Sequence, residues 1–359
     1  AYQQGARYAN PEMIQVHPTA IPGEDKLRLI SESVRGEGGR VWVYRDGKPW
    51  YFLEEWYPAY GNLVPRDIAT RAIFKVVYEL GLGIEGKPMV YLDISHLPRE
   101  LLDRKLGGVL EIYEKYMGED PRKVPMKVFP AVHYTMGGLW VDEENRTSIP
   151  GLFAAGECNH QYHGANRLGA NSLLSCVHDG FVTGPALRRY VDGLARSAAD
   201  LPEALFEAER RRQEERFERI YRLDGPEDPF ALHAEMGRWM TEHVTVIRRN
   251  DRLRATAEKL VELQERLARA RCADRGRWSN QTATFIAHLE NMLHLARAIV
   301  AGALARDESR GCHYKPEFPE RDDANWLKTT IATWTPDGPR LSYEPVDTSL
   351  LPPRPRRYD

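Results

Sequence analysis

The spacing of apolar positions changes along the chain, and each change marks a region. Residues 13–120 mix short apolar runs with helical stripes. RVWVYR (40–45) and MVYLDI (89–94) predict strands. Ile68, Ala72, Val76 and Leu80 recur every four residues and predict one amphipathic helix, and a second is predicted over about 101–117. GLFAAGE (151–157) reads as a short buried strand ending in small residues and a carboxylate. A Gly/Asn loop follows, then a helix that Asn171 and Ser172 would cap, running through Leu173, Leu174 and Val177. Residues 203–305 are charged, poor in Pro and helical, with EALFEAERRRQEERFERIYRL (203–223) and RLRATAEKLVELQERLARA (252–270) as clear cases. Leu253, Leu260 and Leu267 recur there at seven-residue spacing, which predicts a bundle core with solvated outer faces. From about 306 the pattern breaks into Pro-rich loops and short strands such as RLSYEPV (340–346), ending in PPRPRRYD.

Composition narrows the class of protein without naming a chemistry. The 359 residues carry 50 basic and 52 acidic side chains, a balance that argues against a nucleic-acid or membrane-surface footprint and leaves room for two or three domains. Cys158, Cys176, Cys272 and Cys312 lie far apart with no CxxC pair, which excludes a local iron–sulfur or zinc site by spacing and points to a reducing compartment. His160 and His163 form an i, i+3 pair with no third ligand nearby, so no metal is expected and the pair reads as part of a loop. No apolar run reaches the roughly 18 residues that a direct membrane span needs.

The chemistry concentrates in residues 133–174. An acid at a strand's carboxyl end, here Glu157, is how doubly wound proteins hold a cofactor's hydroxyls. A helix opening at Asn171, Ser172 and Leu173 presents free N–H groups and a positive dipole end, which suit the negative charge a reduced flavin gathers at its pyrimidine edge. The same pattern also fits an ordinary strand, loop and capped helix of an α/β core, and both readings stand on chemistry alone. Taken singly, His17 before a Pro fits a structural side chain, and Arg167 in a Gly/Asn loop fits a carbonyl-binding role.

Linked motifs carry more than any one residue. HPTA (17–20), ISESVRGEGG (30–39), PRDIATR (65–71), HYTMGG (133–138), GLFAAGE and HGANRLGANSLL (163–174) follow one another in the order and spacing of a known family. In them the chain resembles the flavoprotein subunit of succinate dehydrogenase and fumarate reductase, and ESRGCHYKPEFPERDDANWLKTT (308–330) resembles that family's C-terminal region. The family opens with a strand, a GxGxxG turn and a helix that hold the FAD diphosphate, and then a His that carries the flavin covalently. Neither is found here: RGEGGR (35–40) lacks a preceding buried strand and the right spacing. The expectation is therefore the C-terminal part of a longer subunit, with the covalent attachment site outside this chain and the chain inactive alone.

The resemblance implies a mixed α/β and α+β multi-domain fold. It assigns residues 1–12 to the end of a flavin-domain segment and 13–120 to an inserted α+β capping domain. Residues 121–192 would return to the doubly wound FAD-binding domain, 203–305 form a helical bundle and 306–359 a small C-terminal domain. It also implies the site. His133 and Arg167 would grip one substrate carboxylate, with His17, Ser31 and Glu32 lining the other end, because Arg and His donors fix a planar carboxylate in orientation as well as in place. Ser31 stands where the family commonly has Thr, keeping the hydroxyl and losing a methyl. Arg66 would move the proton, just before a helix that Asp67 can cap. Guanidinium is normally too weak an acid, with a pKa above about 12, but burial and the helix's positive end both disfavour its charge. Glu32 and Arg35, one helical turn apart, would relay protons to it; a salt-bridge cluster that holds the cap shut is the alternative. Glu157, Asn171, Ser172 and Leu173 would hold FAD, and His313 would be structural.

These implications converge on succinate oxidation to fumarate, with electrons passing to an iron–sulfur subunit. A membrane anchor subunit would hold the complex at the cytoplasmic face of the membrane. Fumarate reduction, L-aspartate oxidation on the shared HYTMGG and GANR motifs, and a non-catalytic interaction scaffold remain alternatives. The tail after ESRG and the run RLGANSLL favour the dehydrogenase over L-aspartate oxidase, while the direction is not readable, because succinate oxidation and fumarate reduction share these residues.

Overall fold

In a computed structural model, residues 1–23 and 28–354 are described, and the end of the PPRPRRYD tail (355–359) lies outside them. The chain divides into two compact units, one formed by Ala1–Met13 and Thr135–Val346, the other by Ile14–Tyr134 with the tail from Asp347. The mixed α/β, multi-domain class expected from the sequence is what the structure has.

β1 (Tyr8–Ala9) belongs to the first unit, and the chain then enters the second through β2 (Ile14–Ile21), all of whose residues are buried. β3 (Arg28–Leu29), β4 (Arg40–Arg45), β5 (Lys48–Trp50), β6 (Val90–Asp93) and β7 (Met126–Thr135) complete a sheet in the order β3-β2-β7-β6-β4-β5. β4 runs antiparallel to β5 and β6, and β6 antiparallel to β7. Over 126–130, β7 alternates buried and half-buried residues, the period expected of a strand with one face on a core. That core gathers Val41, Leu92, Met126 and Val128 from the sheet, Phe52 and Leu53 from α2 (Phe52–Trp56), Ile73 from α3 (Arg66–Phe74) and Leu106 and Leu110 from α4 (Arg99–Met117). α1 (Ser33–Gly36) is a single turn. β7 adds to this sheet, and the compact unit extends to Tyr134.

The stripe expected to reach Leu80 ends early. α3 gives way to a π-turn at Lys75–Glu79, which rotates the face, so Val76 is buried and Leu80 exposed. Asp67 is not the cap of this helix either. Pro65 occupies the N-cap position without a side-chain bond, Arg66 is already the first helical residue, and Asp67 pairs with Arg71 at 3.0 Å.

In the first unit, β8 (Gly138–Leu139), β9 (Lys328–Thr333) and β10 (Arg340–Pro345) form an antiparallel sheet in the order β10-β9-β1-β8. Its helices are α5 (Asn171–Asp192), α6 (Glu203–Tyr221), α7 (Pro229–Met240), α8 (Asn250–Leu267), α9 (Gln281–Ala305) and the short α10 (Asp323–Trp326). Leu253, Leu260 and Leu267 are buried in one apolar cluster with Ile286, Leu289 and Leu293 of α9, as the seven-residue spacing predicts. Among the described residues no helix is long and apolar enough to cross a membrane.

Candidate active site

Six of the expected residues lie in the Ile14–Tyr134 unit. Glu32 precedes the single turn α1, which sets it on the same side as Arg35, and its carboxylate bridges two guanidinium groups. Oε1 accepts from Arg35 Nη2 at 2.9 Å and Oε2 from Arg66 Nη2 at 2.5 Å. Arg35 is buried and its Nη1 also donates to the carbonyls of Asn62 and Val64 at 2.8 and 2.9 Å. Burial, above all, pushes the Arg35 guanidinium below its ordinary pKa, Arg66 adds to this, and Glu32 opposes it. Arg66, buried at the start of α3, donates through Nη1 to Gln15 Oε1 at 3.0 Å. The order Arg66, Glu32, Arg35 is thus a continuous chain of charge-assisted bonds.

His17, on β2, stands edge-on to His133, on β7, with ring centroids 5.3 Å apart. The Thr19 N–H donates to His17 Nδ1 at 3.2 Å, while the Thr19 hydroxyl donates to the Ile30 carbonyl at 2.9 Å. Nδ1 is therefore an acceptor, which leaves Nε2 as the protonated donor. Ser31 is exposed and its Oγ accepts the Ser33 hydroxyl at 2.8 Å.

The remaining expected residues lie in the other unit. Arg167 is buried in the loop before α5, with Nη1 donating to the Leu168 carbonyl at 3.1 Å. A segment distant in sequence backs this loop: Cys312 N–H donates to the Ala165 carbonyl at 2.9 Å and its thiol to Asn166 Oδ1 at 3.1 Å. Gly311 permits the approach, since its φ is +58° and a Cβ there would come within 2.3 Å of the Ala165 oxygen. Next to it His313 is fully enclosed, donating through Nε2 to the Arg306 carbonyl at 2.9 Å and accepting from Arg248 at Nδ1. Burial first, then the Arg248 charge, hold its pKa well below the ordinary histidine value. His163 Nε2 contacts Ser175 Oγ at 3.2 Å, and His160 Nδ1 accepts from the Val141 N–H at 3.4 Å.

Two local expectations are corrected here. GLFAAGE is not a strand: only Phe153 forms a bridge, to Arg146, and Gly156–Cys158 is a 3-10 turn. Gly156 at φ +78° bends the chain, and the Ala154 N–H bonds the Asn145 carbonyl at 3.0 Å in place of a ladder. Asn171 and Ser172 do not cap α5; they are its first two helical residues. Ala170 holds the N-cap position in the left-handed region with no side-chain bond. The helix start is thus left without a side-chain cap, as an anion-binding terminus requires. Leu173, Leu174, Val177 and Phe181 are exposed, while the buried side holds Ser175, Asp179 and Ala186. Glu157 is exposed, and its Oε1 accepts from the Thr135 N–H at 3.0 Å. It lies at the edge of a cavity of about 850 Å³ that Thr135, Gly138, Arg216 and His294 also line. A carboxylate on a cavity wall and an uncapped helix start fit the ribose and the electron-rich edge of a flavin, so the residues present suit the cofactor.

Sequence reasoning missed Asp179. It carries no motif signal, being one acid inside a 22-residue helix. Its burial beside a helix face of exposed leucines was the only clue, and that required the fold.

The sheet-and-helix fold thus carries a pair of facing histidines and a guanidinium–carboxylate chain. Residues 1–173 match a family model described as FAD binding domain, and 233–358 one described as fumarate reductase flavoprotein C-term. The chain is 60% identical to the succinate dehydrogenase flavoprotein subunit of Bacillus subtilis over 99% of its own length and 61% of that protein's. It is 36% identical to the fumarate reductase flavoprotein subunit of Escherichia coli, covering 100% of this chain and 61% of that one. Among solved structures, a quinol-fumarate reductase with menaquinol molecules matches with a TM-score of 0.87 at 34% identity, over 98% of this chain and 62% of that one. The chain belongs to the family of succinate dehydrogenase and fumarate reductase flavoprotein subunits. It spans about three-fifths of the length of the relatives it matches.

Proposed function

We propose that the protein serves succinate oxidation to fumarate as the flavoprotein of a succinate:quinone oxidoreductase. The observation that carries the reading is that the Arg66–Glu32–Arg35 chain and the His17–His133 pair belong to one compact unit. When bound, FAD supplies a hydride acceptor. The protein's own residues hold the dicarboxylate and remove the proton that leaves opposite to the hydride. Neutral His17 donates through Nε2, and His133 and Ser31 add donors, while Arg167 offers a planar fork to a carboxylate. Arg66 takes the substrate proton after passing its own to Glu32 Oε2 across a hydrogen bond of 2.5 Å. Glu32, whose side chain is 36% exposed, releases that proton to solvent, while Arg35 holds its Oε1 as a donor at 2.9 Å. Glu157 and the start of α5, at Asn171, Ser172 and Leu173, hold the cofactor.

The dehydrogenase direction is favoured over fumarate reduction by the 60% identity to a succinate dehydrogenase subunit against 36% to a fumarate reductase subunit. Electrons then leave to an iron–sulfur subunit, and attachment to the cytoplasmic face of the membrane comes through an anchor subunit. The test is to add succinate to the flavin-loaded protein under anaerobic conditions. Bleaching of the flavin with formation of fumarate supports the reading. Bleaching by L-aspartate but not by succinate would replace it with the oxidase.

A further inference from the structure

Asp179 is 0% exposed, yet among the described residues its carboxylate has no cation as a hydrogen-bond partner. Four neutral donors converge on it, two per oxygen. Asn145 Nδ2 and the Tyr162 hydroxyl reach Oδ1 at 2.9 and 2.5 Å, and the Gly156 N–H and Asn159 Nδ2 reach Oδ2 at 2.5 and 3.0 Å. Burying a carboxylate is costly unless its acceptor sites are filled, and this one fills them without a countercharge. An amide at this position would accept at one atom only, and its NH₂ would face donors. The arrangement therefore requires an acid.

Two of the four donors, Gly156 and Asn159, belong to one turn, and Asn145 and Tyr162 come from outside it. Gly156 opens the 3-10 turn, Asn159 ends it and also bonds the Ala154 carbonyl at 3.1 Å, and Asn145 holds the Ala154 N–H through its own carbonyl. Tyr162 follows in the next loop. Burial first and the Asp179 bond second push its pKa to about 12, so the hydroxyl stays a donor. Glu157 is the second residue of this turn. An exposed glutamate loses freedom when it must meet a ligand in one geometry, and that loss is smaller if the backbone carrying it is fixed beforehand.

We propose that Asp179 is a positioning residue for the flavin: its buried carboxylate fixes the Gly156–Cys158 turn and so aims Glu157 at the cofactor. This rests on the assignment of Glu157 to the cofactor. The test compares flavin-loaded parent, Asp179→Asn, Glu157→Gln and the double variant by flavin circular dichroism, flavin midpoint potential and thermal unfolding. Both single variants are expected to alter the flavin dichroism and potential, and the double variant to match Glu157→Gln alone. Hydrogen exchange at residues 155–159 should quicken in Asp179→Asn with or without flavin. If Asp179→Asn fails to fold, Tyr162→Phe, which removes one of the four donors, should move the same flavin signals by a smaller amount. An Asp179→Asn or Tyr162→Phe protein that only unfolds at lower temperature, with parental flavin signals where Glu157→Gln shifts them, would overturn the proposal. Parental flavin signals in Glu157→Gln would overturn the role of Glu157 itself, and the proposal with it.

Discussion

Replacing Glu32 by Gln removes a carboxylate shared by two guanidinium groups whose side chains are 2% and 8% exposed. Losing one partner of a fully buried ion pair costs about 3–5 kcal/mol, and of an exposed pair about 0–1 kcal/mol. The Glu32 side chain is 36% exposed, so solvent relieves part of the loss. Arg35 keeps its bonds to the Asn62 and Val64 carbonyls, and Arg66 keeps Gln15, while the Gln amide can face only one guanidinium with its oxygen. The expected destabilisation is about 1–3 kcal/mol, measured as a lowered urea midpoint at unchanged slope in the flavin-loaded protein. Turnover should fall as well, since the route for the Arg66 proton is interrupted, while the flavin stays bound. A variant with the parental midpoint and the parental turnover would refute the reasoning, because the bridge would then bear neither stability nor protons.

In the flavin-loaded protein, Arg167→Lys should weaken malonate or fumarate binding by about tenfold or more, because a point charge replaces a planar fork; flavin absorbance titrations check this, and parental affinity would reject the clamp. His313→Gln tests the enclosed histidine through pH. The folded-state pKa is depressed below the ordinary value of 6.5, so the unfolded chain binds the extra proton first as pH falls. Stability is present above pH 6.5 and is lost below it, by up to about 1.4 kcal/mol per pH unit for this one group. Unfolding measured from pH 7 to 5 should show a shallower slope in the variant.

Elements whose pattern is repeated along the chain were legible: RVWVYR is β4, and α4, α6 and α8 lie where their stripes placed them. Errors fell where one residue changes the backbone. Gly156 at positive φ converts an apparent strand into a turn, and the π-turn at Lys75–Glu79 carries Leu80 off its stripe. Asn171 and Ser172 have the chemistry of caps but sit one and two residues inside the helix, a boundary that local sequence does not set. The candidate site residues were proposed only through linked motifs, because His17 and His133 are far apart in sequence and no local signal joins them. Asp179 had no such motif, and its four donors come from loops that only the fold brings together.

The central claim is that Arg66 moves the proton, and Arg66→Lys in the flavin-loaded protein tests it most directly. The measurement is the maximal rate of succinate oxidation, with malonate affinity taken alongside. The account predicts a loss on the order of 10² or more in rate, with flavin retained and malonate affinity reduced far less than in Arg167→Lys. A near-parental maximal rate with a raised KM would contradict it, and would make the Arg66–Glu32–Arg35 chain a salt-bridge cluster that holds the fold.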